Sequence, residues 1–410
     1  MNKKIYKTII ILINLVIVMS TITNVYAADE LSVNANASLI VETNSGKIIY
    51  EDNAETQNYP ASLTKILTAI LVLENCELDD IVTVSKSAVS NIPPSYVVAP
   101  LFVGEQMRVE DLLYALLLKS SNDAAYVLAE HVGGSVEGFS DMMNKKAEEL
   151  GCKNTHFVNP NGIHNNEHYT TAYDMYLISK YAMENEEFVK IVSTYQYTLP
   201  ATNRYSNSDR VMKNTNEFVN PNSKYYDENA KGIKTGTTLE AGNCLITDIE
   251  KNNFDVIVVV LGAKTRESKF SETSKMMNYM FDNYTTTEVH KKGDIIKNID
   301  VDKATENTKN LNIIISDDIS VINNVDIDVS SIEPEIILNQ DIVAPISEGQ
   351  ELGIIKYTVD GMEYEAKLVA EKNVERKFEN DKMLIGCVEI FIIFCLILCA
   401  LKKKKIKNKK

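Results

Sequence analysis

Ser62 and Lys65 stand three residues apart in Ser62-Leu63-Thr64-Lys65. Residues at i and i+3 share one face of a helix. A lysine there can take the serine proton, and a free hydroxyl needs such a base to become a nucleophile. The lysine must carry a depressed pKa, which burial and cationic neighbours supply. A helix N-terminus also offers unpaired N–H groups to a developing oxyanion. By itself the pair also reads as a capped helix start with a solvated lysine. The neighbouring residues tilt the balance. Leu63, Ile66, Leu67, Ala69, Ile70, Leu71 and Leu73 make the segment apolar nearly all round. Such a helix is buried, which leaves Lys65 no solvent face.

Two further clusters carry chemistry. In Ser120-Ser121-Asn122 a hydroxyl and an amide can shuttle a proton and orient a substrate amide. The plainer reading is an N-cap before Asp123 and Ala124. The other cluster is Gly232-Ile233-Lys234-Thr235-Gly236-Thr237. Gly236 lets a substrate backbone lie close along a strand edge. Lys234 offers a point charge to a carboxylate, and Thr235 adds a hydroxyl. The Thr237 N–H can pair with that of Ser62 as an oxyanion hole. A turn-rich strand with an exposed lysine would look the same.

Elements must bring these clusters together. Ser38 to Tyr50 reads as strand, turn, strand, with Asn44-Ser45-Gly46 as the turn. The spacing predicts helices over 62–74, 109–118 and 122–131. Thr171-Ala172-Tyr173-Asp174 has the form of a capping box opening another helix. Cys244–Ile249 and Phe254–Leu261 read as strands paired across Lys251-Asn252-Asn253, and 268–284 as a closing helix. Residues 28–286 are therefore expected to form an α/β catalytic domain. From 287 to 380 helical periodicity gives way to short β-branched runs: 295–301, 311–315, 319–322, 336–338, 352–358 and 364–370. That pattern predicts a small all-β domain.

The chain has 410 residues and a formal net charge of −15. Its two ends are basic. Without 1–27 and 382–410 the body holds 31 basic and 56 acidic residues. A body that acidic repels phosphate backbones, so nucleic-acid binding is disfavoured. Residues 1–27 have the form of a signal peptide: Lys3, Lys4 and Lys7, an apolar run, then Val25-Tyr26-Ala27. Residues 383–401 form a nearly unbroken apolar run, just long enough for one transmembrane helix. The lysine-rich tail 402–410 stays cytoplasmic by the positive-inside rule. The expected arrangement is a single-pass membrane protein with its body outside the cell. Cys76, Cys152 and Cys244 are too few and too irregular for a disulfide framework or a metal clip.

Taken together, the three clusters resemble the SxxK, SxN and KTG signature of penicillin-binding proteins and class A β-lactamases. The longer context is similar to the serine-type D-alanyl-D-alanine carboxypeptidases, the low-molecular-weight penicillin-binding proteins. Residues 60–65, 118–124 and 231–236 carry the likeness, as do Asn159-Pro160-Asn161-Gly162 and Thr171-Ala172-Tyr173-Asp174. The resemblance implies a β-lactamase/transpeptidase-like domain, an antiparallel sheet flanked by helices, followed by the β domain and the anchor. It implies peptidoglycan stem peptides as substrate, covalent β-lactam binding and no cofactor. By the same likeness Ser62 forms the acyl-enzyme and Lys65 is its base. Ser120 relays protons, Asn122 holds the substrate amide and Lys234 the terminal carboxylate, with Thr235, Gly236 and Thr237 lining the strand edge. One residue departs from the family. An arginine is common just before the aromatic at Phe270, and here Lys269 stands there, with Arg266 three residues earlier.

Other readings compete. A β-lactamase needs a second carboxylate for the deacylating water, and no Glu followed three residues later by Leu-Asn occurs between Asn122 and Lys234. His156, His164 and His168 invite a metal, yet there is no H-E-x-x-H. A wall-binding protein with a dead site would be indifferent to loss of Ser62.

Overall fold

The computed structural model describes residues 31–377, 390–394 and 396–397. The expected signal peptide at 1–27, most of the expected anchor at 383–401 and the tail at 402–410 lie outside them. Residues 390–394 and 396–397 are helical. Among the described residues no helix is long and apolar enough to cross a membrane. The chain divides into two compact units between Asp282 and Asn283.

The first unit is built on five antiparallel strands: β1 (Ala37–Glu42), β2 (Ile48–Asp52), β3 (Ala230–Thr238), β4 (Gly242–Lys251) and β5 (Phe254–Ala263). Their order is β2-β1-β5-β4-β3, so the first and last parts of this unit share one sheet and β3 is an edge. Strand residues alternate between faces. Leu39, Val41, Ile257, Val259 and Leu261 point into the main core. That core is completed by helices α1 (Lys65–Asn75), α2 (Val109–Leu117), α3 (Asn122–Gly133), α4 (Val136–Glu149), α5 (Ala172–Met183) and α6 (Glu186–Ser193). On the opposite face Phe254 meets Phe281 of α7 (Arg266–Asn283) at 6.4 Å between ring centroids. The sheet thus has apolar side chains on both faces and helices over each.

Two local departures from expectation have physical causes. The helix predicted from Ser62 starts as a 3-10 turn over Ala61–Thr64, and α1 begins only at Lys65. The chain enters that turn through Ala61 at φ 47°, which a regular helix start cannot accommodate. Thr171 does cap α5, accepting from the Asp174 N–H at 3.0 Å. The Asp174 carboxylate does not reach back. It accepts instead from the Lys153 and Asn154 N–H groups and the Thr155 hydroxyl, so it ties a neighbouring loop to the helix.

Among the described residues the second unit contains seven strands: β6 (Tyr284–His290), β7 (Ile295–Asp300), β8 (Asn310–Ile315), β9 (Ile319–Asn324), β10 (Glu335–Leu338), β11 (Glu351–Val359) and β12 (Met362–Ala370). Five form a sheet in the order β7-β8-β12-β11-β10, and β6 pairs with β9. Their inner residues, including Leu311, Ile313, Val321, Ile355 and Leu368, close a separate core. The Tyr284-Thr285-Thr286-Thr287 run, where residues 268–284 were expected to finish as helix, opens β6; β-branched residues favour that change.

Candidate active site

The site begins at the 3-10 turn. Residues at i and i+3 eclipse one another in such a turn, and Lys65 Nζ lies 3.0 Å from Ser62 Oγ. The turn is held in its unusual shape from three sides. Thr64 Oγ1 donates to the Ala61 carbonyl at 2.8 Å. His168 Nε2 lies 2.8 Å from the same Thr64 oxygen, while His168 Nδ1 accepts from the Val158 N–H at 3.1 Å. That places the ring proton on Nε2 and makes a directed chain from His168 through Thr64 to Ala61. Burial, helped by the charges of His156, Lys65 and His164, pulls the His168 pKa down to about 3, so the ring stays neutral. Gly162 completes the clamp, because a Cβ there would lie 1.8 Å from the Ala61 carbonyl oxygen.

Lys65 is fully buried. Its Nζ has two acceptors besides Ser62: Asn122 Oδ1 at 3.0 Å and the Asn161 carbonyl at 2.6 Å. A neutral amine has two N–H donors and one lone pair. The two fixed acceptors take both donors, so the lone pair is left for the Ser62 hydroxyl. Burial lowers the Lys65 pKa to about 7, against an opposing pull from Asp123. The group is therefore a base near neutral pH, where Brønsted behaviour favours it.

The wall opposite comes from the junction of α2 and α3. Ser120 sits at φ 65°, a left-handed conformation that is costly for a non-glycine residue. The N-cap expectation fails here. The Ser121 side chain makes no cap, and Asn122 turns inward to Lys65. The Asn122 Nδ2 donates once to the Val97 carbonyl at 2.9 Å, which leaves its second hydrogen for a ligand. Asp123 anchors the loop above by accepting from the Ala99 and Leu101 N–H groups.

The third wall is the β3 edge. Gly236 packs directly on the turn: a Cβ would sit 3.1 Å from Ser62 N and from the Pro60 carbonyl. Thr235 Oγ1 shares a hydrogen bond of 2.7 Å with Thr215. The Thr237 hydroxyl donates to the Gly236 carbonyl at 2.6 Å. Lys234 is buried, not exposed, and Nζ donates to the Thr235 carbonyl at 2.9 Å. Burial holds its pKa well below the ordinary lysine value, and the charges of Lys65 and Lys269 add to this. Lys269 is also buried, at about 8 for the same first reason. Ser62, Ser120, Asn122, Thr235, Gly236 and Thr237 line one cavity of about 510 Å³, together with Arg266 and Lys269. Lys65 and Lys234 lie beneath its surface. Every residue singled out from the three motifs therefore converges on one place. Among the described residues lining the cavity there is no carboxylate.

Sequence reasoning missed several contributors. Asn161 was legible only as part of Asn159-Pro160-Asn161-Gly162, without a task. Gly162 and Asp123 were likewise legible only as members of 159–162 and 118–124, and Thr215 carried no signal. His168 was weighed as a metal ligand, and both of its ring nitrogens are engaged in the clamp. His156 Nδ1 lies 2.6 Å from the Glu167 carbonyl, and His164 packs edge-on to Tyr59. One donor each from Cys76, Asp80 and His131 lies within 4.8 Å of the others, outside the cavity lining.

A buried lysine of lowered pKa against a serine, faced by an antiparallel strand edge and by cations, is the arrangement of an acyl-transferring serine hydrolase of the transpeptidase-like fold. Comparison with known proteins narrows the class. Residues 24–265 match the family model of D-alanyl-D-alanine carboxypeptidases, and residues 284–376 match that of the penicillin-binding protein 5 C-terminal domain. The chain is 34% identical to the D-alanyl-D-alanine carboxypeptidase DacF of Bacillus subtilis, over 86% of this chain and 87% of that one. It is 36% identical to the D-alanyl-D-alanine carboxypeptidase of Streptomyces sp. strain K15, over 58% of this chain and 84% of that one. The crystal structure of penicillin binding protein 5 from Haemophilus influenzae superposes with a TM-score of 0.67 at 28% identity, covering 84% of this chain and 98% of that one. The chain belongs to the D-alanyl-D-alanine carboxypeptidase family. It is a serine peptidase with a mixed α/β catalytic domain and an all-β C-terminal domain.

Proposed function

We propose that this chain removes the terminal D-alanine from peptidoglycan stem pentapeptides at the outer face of the cell membrane. One observation carries the chemistry: the buried Lys65 Nζ lies 3.0 Å from Ser62 Oγ, with Asn122 Oδ1 and the Asn161 carbonyl as its two other partners, so its neutral form turns a lone pair to the hydroxyl. Lys65 takes the hydroxyl proton as Oγ attacks the carbonyl of the penultimate residue. The developing oxyanion faces the Ser62 and Thr237 N–H groups. The C–N bond breaks, and D-alanine leaves with a proton relayed through Ser120. Water then attacks the ester, gives its proton to Lys65 and frees Ser62. Asn122 holds the substrate amide, and Gly236 lets the peptide backbone lie against β3. Lys234, with Thr235, receives the terminal carboxylate, and Lys269 and Arg266 add positive charge. Arrival of the carboxylate restores the ammonium form of Lys234 that burial disfavours.

A β-lactam acylates the same serine. The adduct persists, since no carboxylate lines the cavity among the described residues to activate water. Export by residues 1–27 and anchorage by 383–401, with 402–410 inside, put the site against the wall. The exposed apolar side chains of residues 390–394 support the anchor. The domain at 287–380 acts as spacer or contact module. The test is benzylpenicillin followed by intact-protein mass measurement. A stable adduct should form and vanish in Ser62→Ala, together with D-alanine release. Persistence of D-alanine release in Ser62→Ala would sink the reading, and rapid antibiotic turnover without an adduct would make the protein a β-lactamase.

A further inference from the structure

A second cavity, of about 320 Å³, opens beside the catalytic turn. Gln57, Asn58, Tyr59, Asn166, Tyr169 and Glu240 line it, with Asn36 at its edge. Two of these residues tie it to the reaction. Tyr59 lies three residues before Ser62, so their Cα atoms are at most about 11 Å apart. Strand β3 ends at Thr238, and Glu240 lies in the turn that follows it, before β4 starts at Gly242. Lys234 to Thr238 is four residues, about 13 Å along the strand. A stem pentapeptide spans about 17 Å when extended. With its carboxylate at Lys234 and its backbone along β3, the peptide therefore runs past the end of the strand, and its sugar-bearing end reaches the turn that holds Glu240.

The lining suits a sugar. Asn and Gln amides carry donors and acceptors together, which matches hydroxyl and N-acetyl groups. Two tyrosines offer apolar faces with polar tips. No lysine or arginine lines the cavity, unlike the catalytic one, so an anion finds no partner there. Most of these groups are unspent: among the described residues no hydrogen bond involves the side chains of Gln57, Asn166 or Glu240. Asn36 lies over Gly262, where a Cβ would come within 2.3 Å of its amide nitrogen, so the glycine makes room for that amide.

We propose that this cavity binds the N-acetylated glycan to which the stem peptide is attached. The proposal rests on the carboxypeptidase reading and adds a subsite to it. The full chain in detergent is given two substrates, a pentapeptide and the same pentapeptide on its disaccharide, and D-alanine release is followed. Benzylpenicillin acylation is measured in parallel. The wild type should show kcat/KM about tenfold higher on the disaccharide substrate. The double variant Gln57→Ala/Asn166→Ala should lose that advantage while bare-pentapeptide turnover and acylation hold. Equal kcat/KM on both substrates in the wild type overturns the glycan subsite. A double variant that is equally slow on the bare pentapeptide also overturns it, since the cavity then holds peptide. Glu240→Gln separates the remaining source of binding. If it alone removes turnover of the bare pentapeptide, the cavity holds an ammonium of the peptide and the glycan assignment falls. Acylation without D-alanine release from either substrate would instead overturn the carboxypeptidase reading itself.

Discussion

The two units treat lysine in opposite ways. In the catalytic unit Lys65, Lys234 and Lys269 are buried without a carboxylate salt bridge among the described residues, and burial lowers the pKa of each. In the β unit Lys356 reaches Glu363 and Glu365 at 3.1 and 2.9 Å, and Lys367 reaches Glu351 at 2.9 Å. Hydrogen bonds to those glutamates raise both pKa values. The same side chain is thus a desolvated amine of lowered pKa in one place and a paired surface charge in the other. The difference lies in desolvation against pairing. A lysine deprived of water without a full counter-charge can exchange a proton near neutrality, whereas a paired one cannot.

Removing the buried base breaks this contrast most severely. Lys65→Ala should lower the benzylpenicillin acylation rate by about 10²- to 10⁴-fold, read by intact mass against time. An acylation rate near wild type would mean that another group takes the serine proton. Next in size is the pH dependence of kcat/KM for D-alanine release. Lys65 must be neutral, so the rate should climb through about pH 7. Lys269 must be charged to help hold a carboxylate, so it should fall above about pH 8. A flat profile from pH 6 to 9 would remove the assigned roles. The stability sign is also fixed. Both lysines are depressed from an unfolded value near 10.4. The unfolded chain therefore binds more protons between about pH 7 and 10.4, and stability contributed by these groups rises with pH across that window.

His168→Ala tests the clamp without touching the base. It removes the donor to Thr64 Oγ1, which keeps its bond to the Ala61 carbonyl, and leaves the Val158 N–H without its acceptor, a cost of about 1–3 kcal/mol for an unsatisfied polar group. The acylation rate should fall about tenfold as Ala61 relaxes, and thermal melting separates the two effects. A lower melting temperature with an unchanged acylation rate would make His168 purely structural. At the small end, Lys356→Ala should leave acylation unchanged and melting nearly so, because exposed ion pairs contribute little. A large loss there would mean that the β unit's charges are not merely solvating.

Much of the site was legible from local sequence. The spacing Ser62 to Lys65 and the apolar run that buries α1 are short-range facts, and short-range sterics decide them; Gly236 was legible as a residue that admits a close approach, though the partner it meets, the turn at Pro60–Ser62, is far away in sequence. The strands of the β unit were legible too, from β-branched runs between turn residues. Only folding decided the rest. The acceptors that fix the Lys65 lone pair lie 57 and 96 residues away in sequence. The His168 clamp on Thr64 spans 104 residues. Positive φ at Ala61 and Ser120 cannot be read from residues that ordinarily avoid it, because surrounding packing imposes it. A pKa follows from the water excluded around a group. The sequence determined which groups were present and how they were spaced. The tertiary structure decided which of them lost water, which found partners, and so which of the lysines carry a lowered pKa.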